Sequence, residues 1–289
     1  MSELIDCINN LSAKDIIKSA AKTANGVPFY LQTSGLGGFV AEYQAVYDVF
    51  SVKPPAAIAA TQNTMVAGLV DGGYWAGLDW FYDAGSYAEA DVLINWVNPG
   101  TYTLTKNGVI TWVQNTGVTS NGTTGYYNTN CNFGDGGSHN YVQDDAMVFC
   151  YVRTDVQGTT AEFGTVGVGD CYCTFRNAVD QISMRINDDS NVPSGVASTD
   201  SRGLWALVRN TTDKRLWRNG TSFANAVNAS TGVQNSDIYL LAWNNSGPGI
   251  YSTRQVSIWG AGKYSTMNIP AITTIIETYM DAKGVGVIP

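Results

Sequence analysis

The side chains best able to do chemistry here are five glutamates, one histidine, five cysteines and a loop crowded with aromatic and amide groups. Glycoside hydrolysis with retention needs two carboxylates about 5 to 5.5 Å apart, a spacing that residues two apart on a strand can supply. The glutamates are Glu3, Glu42, Glu89, Glu162 and Glu277, and only Glu89-Ala90-Asp91 has that spacing, ahead of the region patterned as strands. His139 lies in a glycine-rich stretch, and no G-x-S-x-G nucleophile turn is present. The expectation is therefore that no residue is catalytic and that the protein is not an enzyme.

Cys7, Cys131, Cys150, Cys171 and Cys173 contain no C-x-x-C pair, and a structural zinc site needs about four clustered Cys or His ligands. Cys171 and Cys173 fall on one face of a strand and are expected as buried free thiols. The acidic turn Asn187-Asp188-Asp189-Ser190-Asn191, joined by Asp200, carries the hard oxygen donors that calcium prefers. Such turns are common on solvated surfaces, so no metal or cofactor is expected, and Asp188, Asp189 and Asn191 stand as the calcium candidates. Sugars are held by aromatic faces and by amides and carboxylates that meet hydroxyls. The loop Trp243 to Tyr251 has that composition, and Trp243, Asn244, Asn245 and Tyr251 are the candidate ligand-binding residues. Tyr126 and Tyr127 are expected to pack across strands.

These groups must be positioned by two kinds of element. Up to about residue 90 the apolar residues recur at helical spacing. Leu4, Ile8, Leu11, Ile16 and Ile17 form one stripe. Phe39, Tyr43, Val46, Tyr47 and Phe50 form another, and Ile58, Met65, Val66, Leu69 and Val70 follow Pro54-Pro55. Trp75, Leu78, Phe81 and Tyr82 read as a further short helix. From Asp91 the period becomes two. Strands are expected around Ile94–Val97, Tyr102–Thr105, Ile110–Val113, Met147–Val152, Ile182–Ile186, Leu204–Val208, Arg215–Arg218, Ile238–Ala242 and Gln255–Gly260. Asn219-Gly220 between alternating runs predicts a type I′ hairpin, because both central residues must accept positive φ. A last helix is predicted from Pro270 to Lys283, with Ile269, Ile272, Ile275, Ile276, Tyr279 and Met280 as its apolar stripe and Gly284 closing it.

The 289 residues carry a formal charge of −8, only 14% are charged, and 31 are glycine. That balance excludes nucleic acid as a partner, since phosphate binding needs clustered Lys and Arg. No apolar run approaches the roughly 18 residues of a membrane span, and Met1-Ser2-Glu3-Leu4-Ile5-Asp6 does not read as a secretory signal. Neither membrane insertion nor secretion is expected.

The order of features resembles the LamG-like jelly roll of the concanavalin A-like lectin/glucanase superfamily. The likeness is carried by Ser120-Asn121-Gly122-Thr123-Thr124-Gly125-Tyr126-Tyr127, by the hairpin Leu216-Trp217-Arg218-Asn219-Gly220, by the strand Arg254–Trp259, and by Tyr264-Ser265 before the last helix, and it covers Asp91 to Lys283. The resemblance implies a mainly β, antiparallel jelly-roll sandwich over residues 91–289, preceded by a helical attachment region over 1–90 and closed by a C-terminal helix. The junction Ile94 to Tyr102 is similar to appendage and fibre proteins of tailed bacteriophages. Taken together, the expectation is a virion protein made in the host cytoplasm and carried as a homo-oligomer or in repeated copies. It would be held to other virion proteins by its N-terminal helices and would present the sandwich to host cell-surface glycans. A free lectin module and a purely architectural capsid decoration protein are the alternatives.

Overall fold

The computed structural model describes residues 38–191 and 193–289, so the stripe from Leu4 to Ile17 and Cys7 lie outside the described residues. Among those described, the alternating runs pair into two sheets. The first holds β1 (Leu78–Asp83), β3 (Ile110–Val113), β4 (Gly117–Ser120), β6 (Asp145–Val152), β10 (Gly203–Asn210), β11 (Asp213–Arg218), β12 (Thr221–Val227) and β16 (Val256–Gly262). Their order is β12-β11-β10-β6-β16-β4-β3, with β1 also paired to β16. The second holds β2 (Thr105–Asn107), β5 (Tyr126–Asn128), β7 (Phe163–Thr165), β8 (Cys171–Thr174), β9 (Ser183–Ile186), β13 (Tyr239–Leu240), β14 (Trp243–Asn244) and β15 (Pro248–Gly249). Its order is β15-β14-β7-β13-β5-β2, with β8 on β7 and β9 on β8. Strand pairs are antiparallel except β14 on β7. This is the expected mainly β sandwich with helices before and after it.

β6, β10 and β16 are buried at nearly every position, unlike strands with one wet face. Val148, Cys150, Val152, Trp205, Leu207, Trp259 and Ala261 point into the sandwich against Tyr127, Phe163, Cys173, Met184 and Leu240. Met147, Phe149, Tyr151, Leu204, Ala206, Val208 and Ile258 point the other way. There they meet helices α1 (Ala41–Val49), α2 (Ala56–Asp71) and α3 (Ile269–Ala282), whose stripes include Tyr43, Val46, Met65, Val66, Leu69, Ile272, Ile276 and Met280. Gly260 is required beneath this layer, because a Cβ there would stand 2.2 Å from the Phe149 ring. Cys131, Cys150, Cys171 and Cys173 are buried free thiols, and burial raises the pKa of each, that of Cys171 to about 12.

The hairpin turn is as expected, with Asn219 at φ 51° and Gly220 at φ 75°. The last helix starts with the Asn268 side chain accepting from the Ala271 amide and ends before Gly284 at φ 70°. Three expectations are corrected. The strand expected at Tyr102–Thr105 begins only at Thr105, because Tyr102 stands at φ 53°, outside extended backbone. Leu78 to Asp83 is a strand, not a helix: Leu78 and Phe81 face the helical layer while Trp80 and Tyr82 face the sandwich, so burial on both sides disguised the period. Residues 94 to 97 form no strand, because the Asn95 carboxamide oxygen accepts from the amides of Phe81 and Val97 in place of a ladder. Residues 39–90, grouped from sequence with the attachment region, belong to the compact unit Phe39–Pro289.

Candidate functional site

Strand alternation on the second sheet sends Tyr127, Leu240, Phe163, Cys171, Cys173, Met184 and Ile186 into the core. Their neighbours must then face the opposite side. The registers Asn128↔Tyr239, Tyr239↔Gly164, Gly164↔Tyr172 and Tyr172↔Arg185 align five of those neighbours in one row across five strands. Thr105, opposite Asn128, extends it. Beside the row Tyr126 lies 4.6 Å from Tyr239 between ring centroids and 6.4 Å from Tyr251, while Trp243 meets Tyr172 edge-on at 5.4 Å. Gly164 allows this approach. A Cβ at that position would stand 2.7 Å from the Tyr172 Cβ and 3.3 Å from the Trp243 Cβ.

Polar groups fix the edges. The Arg185 guanidinium stands 5.5 Å from the centre of the Tyr172 ring and donates to Asp170 at 2.5 Å. Asn191 Oδ1 accepts from Tyr172, Ser183 and Arg185 at 3.1, 3.0 and 3.0 Å. At the far side Asn128 donates to Asp237 at 2.9 Å. Burial, then the neighbouring Tyr126 and Asp237, raises the Tyr239 phenol above its usual pKa. This side of the sheet therefore brings together aromatic rings, amides and a guanidinium, with Tyr172 buried and Tyr126, Tyr239, Trp243 and Tyr251 half-buried, the combination that packs on sugar C–H faces and meets hydroxyls.

Of the sequence candidates, Trp243 and Tyr251 join this face. Asn244 is buried and holds the loop, donating to the Asp237 carbonyl at 2.9 Å and accepting from the Gly247 amide. Asn245 is exposed in the turn, its amide bonded to the Gly247 carbonyl. Tyr126 packs across strands on Tyr239, as expected, but on the outer face. Sequence reasoning missed Tyr172, Tyr239, Arg185 and Gly164. The available signal was Cys171-Tyr172-Cys173, where two inward sulfurs oblige the tyrosine between them to face out.

The calcium candidates have other duties. The fully buried Asp188 carboxylate is paired with Arg209 and with Lys214 at 3.0 Å, which leaves it no uncompensated charge for a cation. Asp189 accepts from the Gly169 amide, and Asn191 is engaged as above. Among the described residues no cluster of three His, Cys, Asp or Glu side chains suits a metal. Glu162 is buried inside the sandwich, accepting from Arg254 at 2.6 Å and Ser252 at 2.8 Å. His139 bridges Asp135 at 2.9 Å and the Tyr102 hydroxyl at 3.3 Å. That phenol is pushed up to about 12 by burial and then by Cys131.

No family model matches the chain, and no curated protein matches it by sequence. The solved structures it is similar to include Trypanosoma rangeli sialidase in complex with sialic acid, with a TM-score of 0.50 and 14% identity over 78% of this chain and 39% of that one. They also include a mutant of that sialidase displaying trans-sialidase activity, with a TM-score of 0.49 and 14% identity over 78% and 39%. A third is the botulinum neurotoxin serotype D binding domain, with a TM-score of 0.47 and 10% identity over 69% and 52%. The chain thus spans about two fifths of the sialidase chains, and the likeness is one of fold: a β-sandwich. The expectation that this protein is not an enzyme is withdrawn, because the sandwich it was read from is also found in a sialidase, an enzyme. The sequence search had looked for local patterns, carboxylates two residues apart and a G-x-S-x-G turn, whereas the fold joins residues as far apart as Glu162 and Ser252.

Proposed function

We propose that the outward face of the second sheet binds carbohydrate, and that the chain is an adhesive module built on a LamG-like sandwich. One observation supports the reading above the others: a continuous row, Asn128–Tyr239–Gly164–Tyr172–Arg185, flanked by Tyr126, Tyr251 and Trp243, on the sheet opposite the one that the three helices cover. Among the described residues the helix layer covers the first sheet and not the aromatic row of the second. A glycan array probed with the protein should show saturable binding to a subset of glycans, weakened about tenfold by Trp243→Ala, the scale of one lost aromatic anchor. Binding to no glycan, or binding unchanged by both Trp243→Ala and Tyr239→Ala, would sink the reading.

On the same proposal the module is displayed in repeated copies on a bacteriophage particle, so that weak single sites add through avidity. Residues 1–22 would dock it to other virion proteins. Particles assembled with a chain lacking Met1–Lys22 should lose the module, and normal incorporation would refute the docking role.

A further inference from the structure

A concave site lies on the other sheet, away from the aromatic row. It is a cleft of about 330 Å³ beside the β11–β12 hairpin, lined by Asp200, Arg202, Arg218, Asn219, Ser222 and Phe223 among others. That volume is at the lower end of those that hold small ligands. We propose that it binds a carboxylate-bearing sugar, a small sugar acid.

The argument rests on how the cations are held. Asp200 accepts from Arg202 Nε and Nη2 at 3.1 and 3.2 Å and lies 3.1 Å from Arg218 Nη2. Arg218 also donates to the Arg202 carbonyl through Nε at 3.2 Å and Nη2 at 3.0 Å. Its guanidinium stands 5.0 Å from the centre of the buried Trp205 ring. The two guanidinium groups are thus braced before any ligand arrives, and Nη1 of each makes no hydrogen bond among the described residues. Each guanidinium thus keeps an unused N–H donor beside the cleft, and such donors are the partners to which arginine chemistry recruits a carboxylate.

The remaining lining selects what carries that carboxylate. Ser222 is exposed and Phe223 is half-buried, its ring edge-on to Trp205 at 5.1 Å. A hydroxyl, an amide and a ring edge suit a polyhydroxylated ring better than an aliphatic acid. Asp200 disfavours a dianion such as phosphate, because it places a third negative charge against the same two cations. The hairpin turn that frames the cleft is locked by the Asn219 carboxamide, which accepts from the Leu204 amide at 3.0 Å.

Calorimetric titration of the full chain with D-glucuronate tests this, with D-glucose and inorganic phosphate as comparison probes. In Trp243→Ala, which removes an anchor of the aromatic face, D-glucuronate should bind saturably, D-glucose should not, and phosphate should bind more weakly. Arg202→Gln, at a half-exposed side chain, should weaken glucuronate about tenfold or more. Ser222→Trp, which fills the cleft and leaves both arginines in place, should abolish it. Trp243→Ala should leave glucuronate binding intact, which separates this site from the aromatic face. No saturable glucuronate binding, equal binding of glucose, tighter binding of phosphate, or a wild-type affinity in Ser222→Trp would each overturn the proposal.

Discussion

Replacing Asp188 by asparagine should cost more stability than almost any other single change in this chain. The Asp188 side chain is 1% exposed, and its partners Arg209 and Lys214 are both 0% exposed. Arg209 is otherwise satisfied, donating to the carbonyls of Ile186, Thr211 and Asn228 at 2.6, 3.0 and 2.9 Å, and Lys214 reaches the Ser190 carbonyl at 2.8 Å. Asp188→Asn keeps the shape and removes the one anion that, among the described residues, pairs with both cations, leaving two buried positive charges close together. Breaking a buried pair in this way costs about 3 to 5 kcal/mol, which in a domain of this size lowers Tm by about 6 to 20 °C. Urea unfolding followed by tryptophan fluorescence reads the loss. Lys214→Met in the Asp188→Asn background should recover about 1 to 3 kcal/mol, because it removes one of the stranded charges. The pH dependence has a fixed sign. Burial lowers the Lys214 pKa even with Asp188 opposing it, so the variant lowers it further. Below the unfolded value of about 10.4 the unfolded chain then binds more protons than the native one, and the variant's deficit shrinks as pH rises from neutral. A loss under about 1 kcal/mol, the size of an exposed pair, or a deficit that grows as pH rises toward 9, would refute the reasoning.

Gly164→Ala should both destabilise and impair binding. Its Cβ would press on the Tyr172 Cβ at 2.7 Å and the Cys171 carbonyl at 3.1 Å, backbone or near-backbone atoms that cannot swing away, so a loss of about 1 to 3 kcal/mol is expected; wild-type glycan binding in this variant would contradict the assigned row. Alkaline titration followed by phenolate absorbance should show only part of the 16 tyrosines ionising while the chain stays folded. Burial raises Tyr82, Tyr141 and Tyr279 well above their usual pKa, so above about pH 10 the native state binds more protons than the unfolded state and stability falls as pH rises. Ionisation of all sixteen before unfolding would contradict the burial of these rings.

Where a signal is local, the sequence was readable. Asn219-Gly220 adopts the positive φ pair its chemistry demands, and the last helix begins at an asparagine cap and stops at Gly284, because caps and turns are decided by a few adjacent residues. Leu78–Asp83 was misread for the opposite reason. A strand covered by helices on one side and by a second sheet on the other has no polar alternation, and Leu78, Phe81 and Tyr82, together with Trp75 before the strand, fit a helical period as well. The site divides in the same way. Trp243 and Tyr251 belong to one loop whose composition was visible, whereas Tyr239, Gly164, Tyr172 and Arg185 meet through strand registers spanning residues 164 to 239. Period two shows that Tyr172 opposes Cys171 and Cys173, but which face meets solvent depends on where the helices pack. The acidic turn at Asp188 looked open to calcium because its cations, Arg209 and Lys214, come from strands that follow it.

The placement of charge bears on what the surfaces can recognise. The chain has 16 Lys and Arg, yet Arg209, Lys214 and Arg254 are wholly enclosed and Lys283 nearly so, paired with Asp188, Glu162 and Asp83. These pairs fasten loops to the sandwich: Arg254 reaches the carbonyls of Val156 and Arg176, and Asp188 accepts from the Ser190 amide in the turn whose Asn191 holds Tyr172 and Arg185. Charge spent inside is unavailable outside, so the aromatic face is left with Arg185 tied to Asp170 and few free ions. Recognition there must come from ring faces, amides and hydrogen-bond geometry, which suits a neutral hydroxylated ligand. The Arg202–Arg218 cleft is a place where two neighbouring cations keep unused donors at the surface, and that difference in charge is why the two sites call for different sugars.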